Sequence, residues 1–138
     1  FNLIQKYFQN NLSGKKILFL GVSYLNDVGD TRYTPVELLY DHLTTAKANL
    51  ELHDSYVSYW QEKDLAVEQD LQKALNQTFD AILLSTMHSE YRSNSAIENY
   101  LAEHPNTVVF DLWGMLNILD LKKKNINNKV IVTGRGDL

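Results

Sequence analysis

Short runs with almost no polar interruption recur along the chain: Ile17-Leu18-Phe19-Leu20, Ala81-Ile82-Leu83-Leu84, Thr107-Val108-Val109-Phe110 and Val130-Ile131-Val132. A strand with one face in water alternates apolar and polar residues. A strand that is apolar at every position is buried on both faces, which requires cover above and below. That cover is visible between the runs. Val36, Leu39, Tyr40 and Leu43 form a helical stripe, and 68–77, Ser95–Glu103 and Met115–Lys124 also read as helices. Leu50-Glu51-Leu52-His53 supplies one more short strand, while 55–67 reads as a loop with short helical pieces. The expected fold is α/β: a Rossmann-like, doubly wound, mainly parallel sheet of about five strands with helices on both faces, preceded by an N-terminal helix. That leading helix carries Phe1, Leu3, Ile4, Tyr7 and Phe8 and should break at Ser13-Gly14. The chain opens inside this helical pattern, which suggests a boundary within a longer protein.

The 138 residues suit one domain, and 44% of them are apolar, enough for a core without staples. With no cysteine, a disulfide scaffold, a cysteine zinc site and a cysteine nucleophile are all excluded within this chain. The net charge of −4 argues against a nucleic-acid partner. No apolar run approaches the ~20 residues of a membrane span.

In an open parallel sheet, ligands sit beyond the carboxyl ends of the strands at the switch in strand order. That rule selects Gly21 to Thr34, Ser85 to Arg92, Asp111 to Gly114 and Thr133 to Gly136. The loop Ser23–Thr34 has twelve residues, long beside the usual ~2–6 of a βα connection. Thr34-Pro35 followed by Glu37 predicts a capped helix start with a reciprocal capping box. Neither GxGxxG nor GxxxxGK[ST] is present. Asp54 reads as a loop-capping aspartate rather than a ribose-binding acid. His88 reads as a surface loop residue, with cleft lining the lesser alternative. Ser85 and Thr86 are candidate donors to ligand oxygens. His42, His53, His88 and His104 lack the spacing of a metal site, so no metal is expected. A phosphate-accepting receiver would carry acids where Gly21-Val22 and Ser85-Thr86 stand.

The first loop, Gly21-Val22-Ser23-Tyr24-Leu25-Asn26-Asp27-Val28-Gly29-Asp30-Thr31-Arg32-Tyr33-Thr34-Pro35, resembles the signature G-[apolar]-[AS]-[FY]-K-x-[DN]-x-[DG]-D-x-R-x-[ST]-[PS] of the C-terminal, UDP-binding domain of the UDP-glucose/GDP-mannose dehydrogenase family. The resemblance continues through His53-Asp54-Ser55-Tyr56-Val57. It implies residues 1–13 as the end of a central linking helix and 14–138 as a nucleotide-sugar-binding Rossmann-like domain. It implies a cytoplasmic, NAD-dependent UDP-sugar 6-dehydrogenase acting on UDP-glucose or a UDP-N-acetylhexosamine in polysaccharide biosynthesis. NAD would be held mainly by a partner N-terminal domain, and the enzyme would be a homodimer or higher. The catalytic cysteine would lie outside this chain, leaving no catalytic residue here. Tyr24 and the following position would contact substrate, and Arg32 would reach across the cleft to NAD. The chain departs from the pattern twice. Leu25 stands where the family has lysine, and Asp111-Leu112-Trp113 where it often reads Asp-Gly-Arg. Arg135, between Gly134 and Gly136, is the candidate to restore one of those charges. The alternatives are a non-catalytic α/β binding or interaction module, and a degenerate homologue that has lost substrate binding.

Overall fold

The computed structural model describes residues 1–32 and 34–132. A leading helix α1 (Asn2–Tyr7) precedes β1 (Lys16–Leu20), α2 (Val36–Thr45) and β2 (Asn49–His53). A two-stranded excursion follows, β3 (Tyr59–Trp60) and β4 (Leu65–Ala66). The chain then runs α3 (Leu71–Ala74), β5 (Ala81–Leu84), α4 (Ser95–Glu103), β6 (Val108–Asp111), α5 (Ile118–Lys123) and β7 (Val130–Val132). The central sheet has five strands in the order β2-β1-β5-β6-β7, and every neighbouring pair is parallel. The expected doubly wound α/β fold is therefore what forms.

The strand pleat sorts the core into two layers. Ile17 and Phe19 of β1 face one side with Ile4, Leu43, Trp60, Leu83 and Phe110. Leu18 and Leu20 face the other with Ile82, Leu84, Ile97, Leu101, Val109 and Leu121. Alternate residues of one strand thus anchor α1 and α2 above and α4 and α5 below, which is why the run must be apolar throughout. Each such side chain contributes about 1.5–3 kcal/mol on full burial.

Local chemistry moved several element boundaries. Residues 55–67, expected as a loop with helical pieces, form the antiparallel β3–β4 hairpin, turned by Gln61–Lys63 with Asp64 at φ 54°. Its two-residue strands are too short to show a period, and Trp60 seats them by burying completely against Tyr40, ring centroids 5.4 Å apart. Helix α5 begins at Ile118 rather than Met115 because the Asp111 carboxylate takes the amides of Met115 and Leu116, both at 2.9 Å. Those residues are held in a turn, and Asn117 caps the helix instead. At the start of α2, Thr34 Oγ1 accepts from the Val36 amide at 3.3 Å as expected of a cap. Glu37 does not complete the box: its carboxylate faces Lys63 at 3.4 Å.

Candidate functional site

The strand order reverses between β1 and β5, so the carboxyl ends of these two strands open the crevice. Gly21 leaves β1 at φ +108°, and a Cβ there would lie 2.3 Å from the Thr86 Cβ. Only glycine permits both the dihedral and that approach. The long loop then rises from the switch point, and a buried polar network beneath it sets its path.

Asp54, at the end of β2, is fully buried. Its Oδ2 accepts from the Val22 amide at 3.0 Å, the Ser23 amide at 3.2 Å and the Ser23 hydroxyl at 2.9 Å. Its Oδ1 accepts from the Tyr56 amide at 2.9 Å. His88 Nε2 lies 2.9 Å from the same Oδ2. The Asp27 amide donates to His88 Nδ1 at 2.7 Å, so the ring proton sits on Nε2 and points at Asp54. Asp27, at φ 59°, takes the Ser89 amide at 2.7 Å and the Ser89 hydroxyl at 2.5 Å. Burial opposes ionisation of Asp54, but the His88 ring and the Val22 and Tyr56 amides outweigh it and hold the carboxyl below its ordinary range. The Ser89 hydroxyl and amide likewise hold Asp27 low. Gly29 packs so closely that a Cβ would lie 2.3 Å from the Tyr56 carbonyl oxygen.

His88 is thus a fully buried clamp rather than the expected surface residue. Its partners come from segments 34 and 61 positions away, a proximity that no local pattern in the sequence announces. Asp54 is the loop organiser that its position suggested. Ser85 and Thr86 differ from expectation, because their hydroxyls already donate to protein carbonyls. Ser85 Oγ reaches Gly21 O at 2.6 Å, and Thr86 Oγ1 reaches Ser23 O at 3.0 Å.

The loop's outer surface is of another kind. Tyr24 and Leu25 are each 52% exposed. Both border a cavity of about 310 Å³ completed by Asn26, Pro35, Thr86, Met87 and Trp113. The two positions where the sequence departs from the family pattern, Leu25 and Trp113, therefore meet at one site. The Trp113 indole is tethered through Nε1 to the Ser85 carbonyl at 3.1 Å. A shallower hollow of about 530 Å³ is lined by Tyr24, Leu25, Asp30 and Arg32. Arg32 Nε and Nη2 bind the two Asp30 carboxylate oxygens at 3.0 and 2.9 Å. That fork draws Asp30 down to about 2 and leaves three of the five guanidinium donors outward. The candidate contacts Tyr24, Leu25 and Arg32 are thus brought together, while Arg135 lies outside the described residues. Among the described residues, no three His, Asp or Glu side chains gather as a metal site, and no helix is long and apolar enough to cross a membrane.

The family model described as "UDP-glucose/GDP-mannose dehydrogenase family, UDP binding domain" matches residues 18–118. A UDP-N-acetyl-D-mannosamine dehydrogenase of Methanococcus aeolicus is 23% identical over 135 residues, covering 96% of this chain and 30% of the relative. UDP-glucose 6-dehydrogenase 1 of Arabidopsis thaliana is 44% identical over 48 residues, covering 35% of this chain and 10% of the relative. Among solved structures, an NDP-N-acetyl-D-galactosaminuronic acid dehydrogenase from Methanosarcina mazei Go1 superposes with a TM-score of 0.76 at 23% identity. The match covers 97% of this chain and 27% of that one. A UDP-N-acetyl-mannosamine dehydrogenase from Staphylococcus aureus gives 0.69 at 20% identity, covering 97% of this chain and 30% of that one. This chain therefore spans about 30% of the length of the archaeal relative it matches end to end.

Proposed function

The chain belongs to the UDP-glucose/GDP-mannose dehydrogenase family as its UDP-binding domain, and from that premise we propose that it supplies the nucleotide-sugar half of the cleft in an NAD-dependent UDP-sugar 6-dehydrogenase. The observation that carries this reading is the loop Gly21–Thr34, held at the β1–β5 switch point with Tyr24, Leu25 and Arg32 on its outer face. The substrate is UDP-glucose or a UDP-N-acetylhexosamine, oxidised at C6 to the uronic acid. When bound, NAD would accept hydride; alcohol to carboxylate is a four-electron oxidation, so each turnover would consume two NAD and one water, with the cofactor held mainly by a partner domain.

This chain's own residues bind and orient. Tyr24 and Leu25 border the substrate, and Arg135 adds a charge to its phosphates. Arg32, aimed by Asp30, presents its outward donors across the cleft to the cofactor. The buried Asp54–His88–Asp27 network holds the loop in one shape before ligand arrives, so little ordering is left to binding. The whole enzyme is cytoplasmic, works as a homodimer or larger assembly, and makes uronic acid donors for polysaccharide.

Calorimetric titration of the chain with UDP, UDP-glucose and UDP-N-acetylmannosamine, with ADP as control, tests the reading. Binding of the uridine nucleotides in preference to ADP is the expected result, and no heat with any of them at millimolar concentration overturns it. A homologue that keeps the fold without substrate binding is the second reading. It is favoured by the committed hydroxyls of Ser85 and Thr86 and by the paired guanidinium of Arg32. The same titration separates the two.

A further inference from the structure

We propose that Glu62, at the turn of the β3–β4 hairpin, is a positioning residue for the outer limb of the Gly21–Thr34 loop: it holds Thr31, and through Thr31 it sets where Tyr24 and Arg32 stand. The geometry needs no ligand; its consequence for substrate and cofactor rests on the nucleotide-sugar reading above.

The buried network reaches only the first limb of the loop. Asp54 and His88 take the amides of Val22, Ser23 and Asp27, and none of their bonds goes to Asp30, Thr31 or Arg32 among the described residues. The second limb is held from the hairpin. Thr31 Oγ1 donates to Glu62 Oε1 at 2.6 Å, the length of a charge-assisted O–H···O bond. Thr31 is buried, and a β-branched side chain has few χ1 settings, so fixing its oxygen fixes the backbone that carries it. Its neighbours hold both candidate contacts. The Asp30 carbonyl accepts from the Tyr24 amide at 2.7 Å. The Asp30 carboxylate accepts from the Arg32 amide at 3.0 Å as well as from the guanidinium. Thr31 is therefore the point whose placement Tyr24 and Arg32 share.

Glu62 can serve this way because the hairpin is fastened to α2 on either side of it. Trp60 is fully buried against Tyr40 of that helix. Lys63 pairs with Glu37 at 3.4 Å and with Asp41, both on α2. Thr34, three residues beyond Thr31, caps the same helix. The hairpin turn and the end of the loop thus share one support, and the carboxylate is presented from a fixed place. The hairpin adds no strand to the central sheet, and this hold on the loop gives the excursion a task. Glu62 could act through its hydrogen bond or through its charge. The Asp30 fork is the main reason the Arg32 guanidinium holds its proton more firmly than usual, and the Glu62 charge is a lesser one. Glu62→Gln separates the two, since the amide keeps an acceptor oxygen and the volume but removes the charge.

Amide hydrogen exchange of the chain, read by NMR, is the test. In Glu62→Ala, and in Thr31→Val, which removes the hydroxyl at nearly constant shape, the Tyr24 amide should exchange about three- to ten-fold faster, the scale of one net hydrogen bond. The Val22 and Asp27 amides, held by Asp54 and His88, should keep their protection. The double variant should be no worse than either single one, and Glu62→Gln should keep most of the protection. In the full-length protein, Glu62→Ala should raise the KM for NAD by a similar factor with kcat little altered, and Glu62→Gln should restore it. Unaltered Tyr24 exchange in Glu62→Ala and Thr31→Val would overturn the proposal and leave the nucleotide-sugar reading standing. Loss of protection that spreads to Val22 and Asp27, or an equal loss in Glu62→Gln, would overturn it too, by making the effect one of general loosening or of charge. Faster Tyr24 exchange with the KM for NAD unaltered in both Glu62→Ala and Arg32→Ala would uphold the positioning and remove Arg32 from the cofactor.

Discussion

The two sides of the Gly21–Thr34 loop invert the usual distribution of chemistry. Beneath it, facing the protein, are charge and hydrogen bonds: Asp54 and His88 are fully buried and tied to each other and to the amides of Val22, Asp27 and Tyr56. Above it, facing water, are Tyr24, Leu25, Val28 and Trp113, each between 43% and 52% exposed. Ordinary packing would place these groups the other way round. The difference separates two tasks. A buried, fully partnered network specifies one backbone path because each unmet bond there is costly. An exposed apolar surface stabilises nothing while uncovered and marks a place where a ligand or partner domain is to lie.

The comparison can be broken from below first. Asp54→Ala leaves the His88 Nε2 proton, two amides of the loop and the Ser23 hydroxyl without their acceptor. It should cost about 3–5 kcal/mol, as removal of one member of a buried charged network does, read as a fall in denaturation midpoint by circular dichroism. Asp54→Asn keeps an acceptor and should cost less; an equal loss would mean that volume rather than bonding matters there. Gly21→Ala comes next. The left-handed dihedral alone is worth about 1–3 kcal/mol, and the Thr86 contact at 2.3 Å adds to it. Tolerance of alanine would show that the β1–β5 approach is looser than described.

Acid should act on the same lower layer. Burial holds His53 below the ordinary histidine range, with the Glu90 charge and the Gln69 backbone pulling the other way. The unfolded chain therefore takes up a proton near 6.5 that the folded chain refuses, and stability falls as pH drops through that value. Asp54 and Asp27 are held below the ordinary 3.8, so a second loss should begin as pH falls past that value. Thermal melts between pH 8 and 3 should show stability declining in two stages, and a flat profile from 7 to 5 would remove His53 from the account. The smallest stability effect belongs to the upper side. Arg32→Ala, with a side chain 77% exposed, should leave the melting temperature almost unaltered; on the proposed reading, in which Arg32 meets NAD, it should also raise the KM for NAD of the full-length protein. A large melting shift would make the Asp30–Arg32 fork structural.

The layered fold was readable because it depends on local repetition. Ala81–Leu84 is apolar at each position and is buried throughout, as a strand covered on both sides should be; Val130–Val132, equally apolar, forms the edge strand β7 and is only half-buried. Helix α4 forms over Ser95–Glu103 as read from the sequence, and the structure adds that Asn94 caps it and that Ile97, Tyr100 and Leu101 are its buried stripe. The mouth loop was legible as a motif, and the structure puts Tyr24, Leu25 and Arg32 around adjoining hollows. The β3–β4 hairpin was not legible, since two-residue strands carry no period and Trp60 is placed by Tyr40 from another element.

Amino-acid order alone determined the five strands of the central sheet, most helices, the long first loop and the absence of a cysteine nucleophile, because each is written in adjacent residues. Tertiary structure decided that His88 is a buried clamp, that the Ser85 and Thr86 hydroxyls are committed to carbonyls, and that Leu25 and Trp113 share one cavity. Those facts depend on pairs 34 to 88 positions apart. Such pairs meet only because parallel pairing brings the ends of β2, β1, β5 and β6 side by side, and no spacing along the chain encodes that meeting.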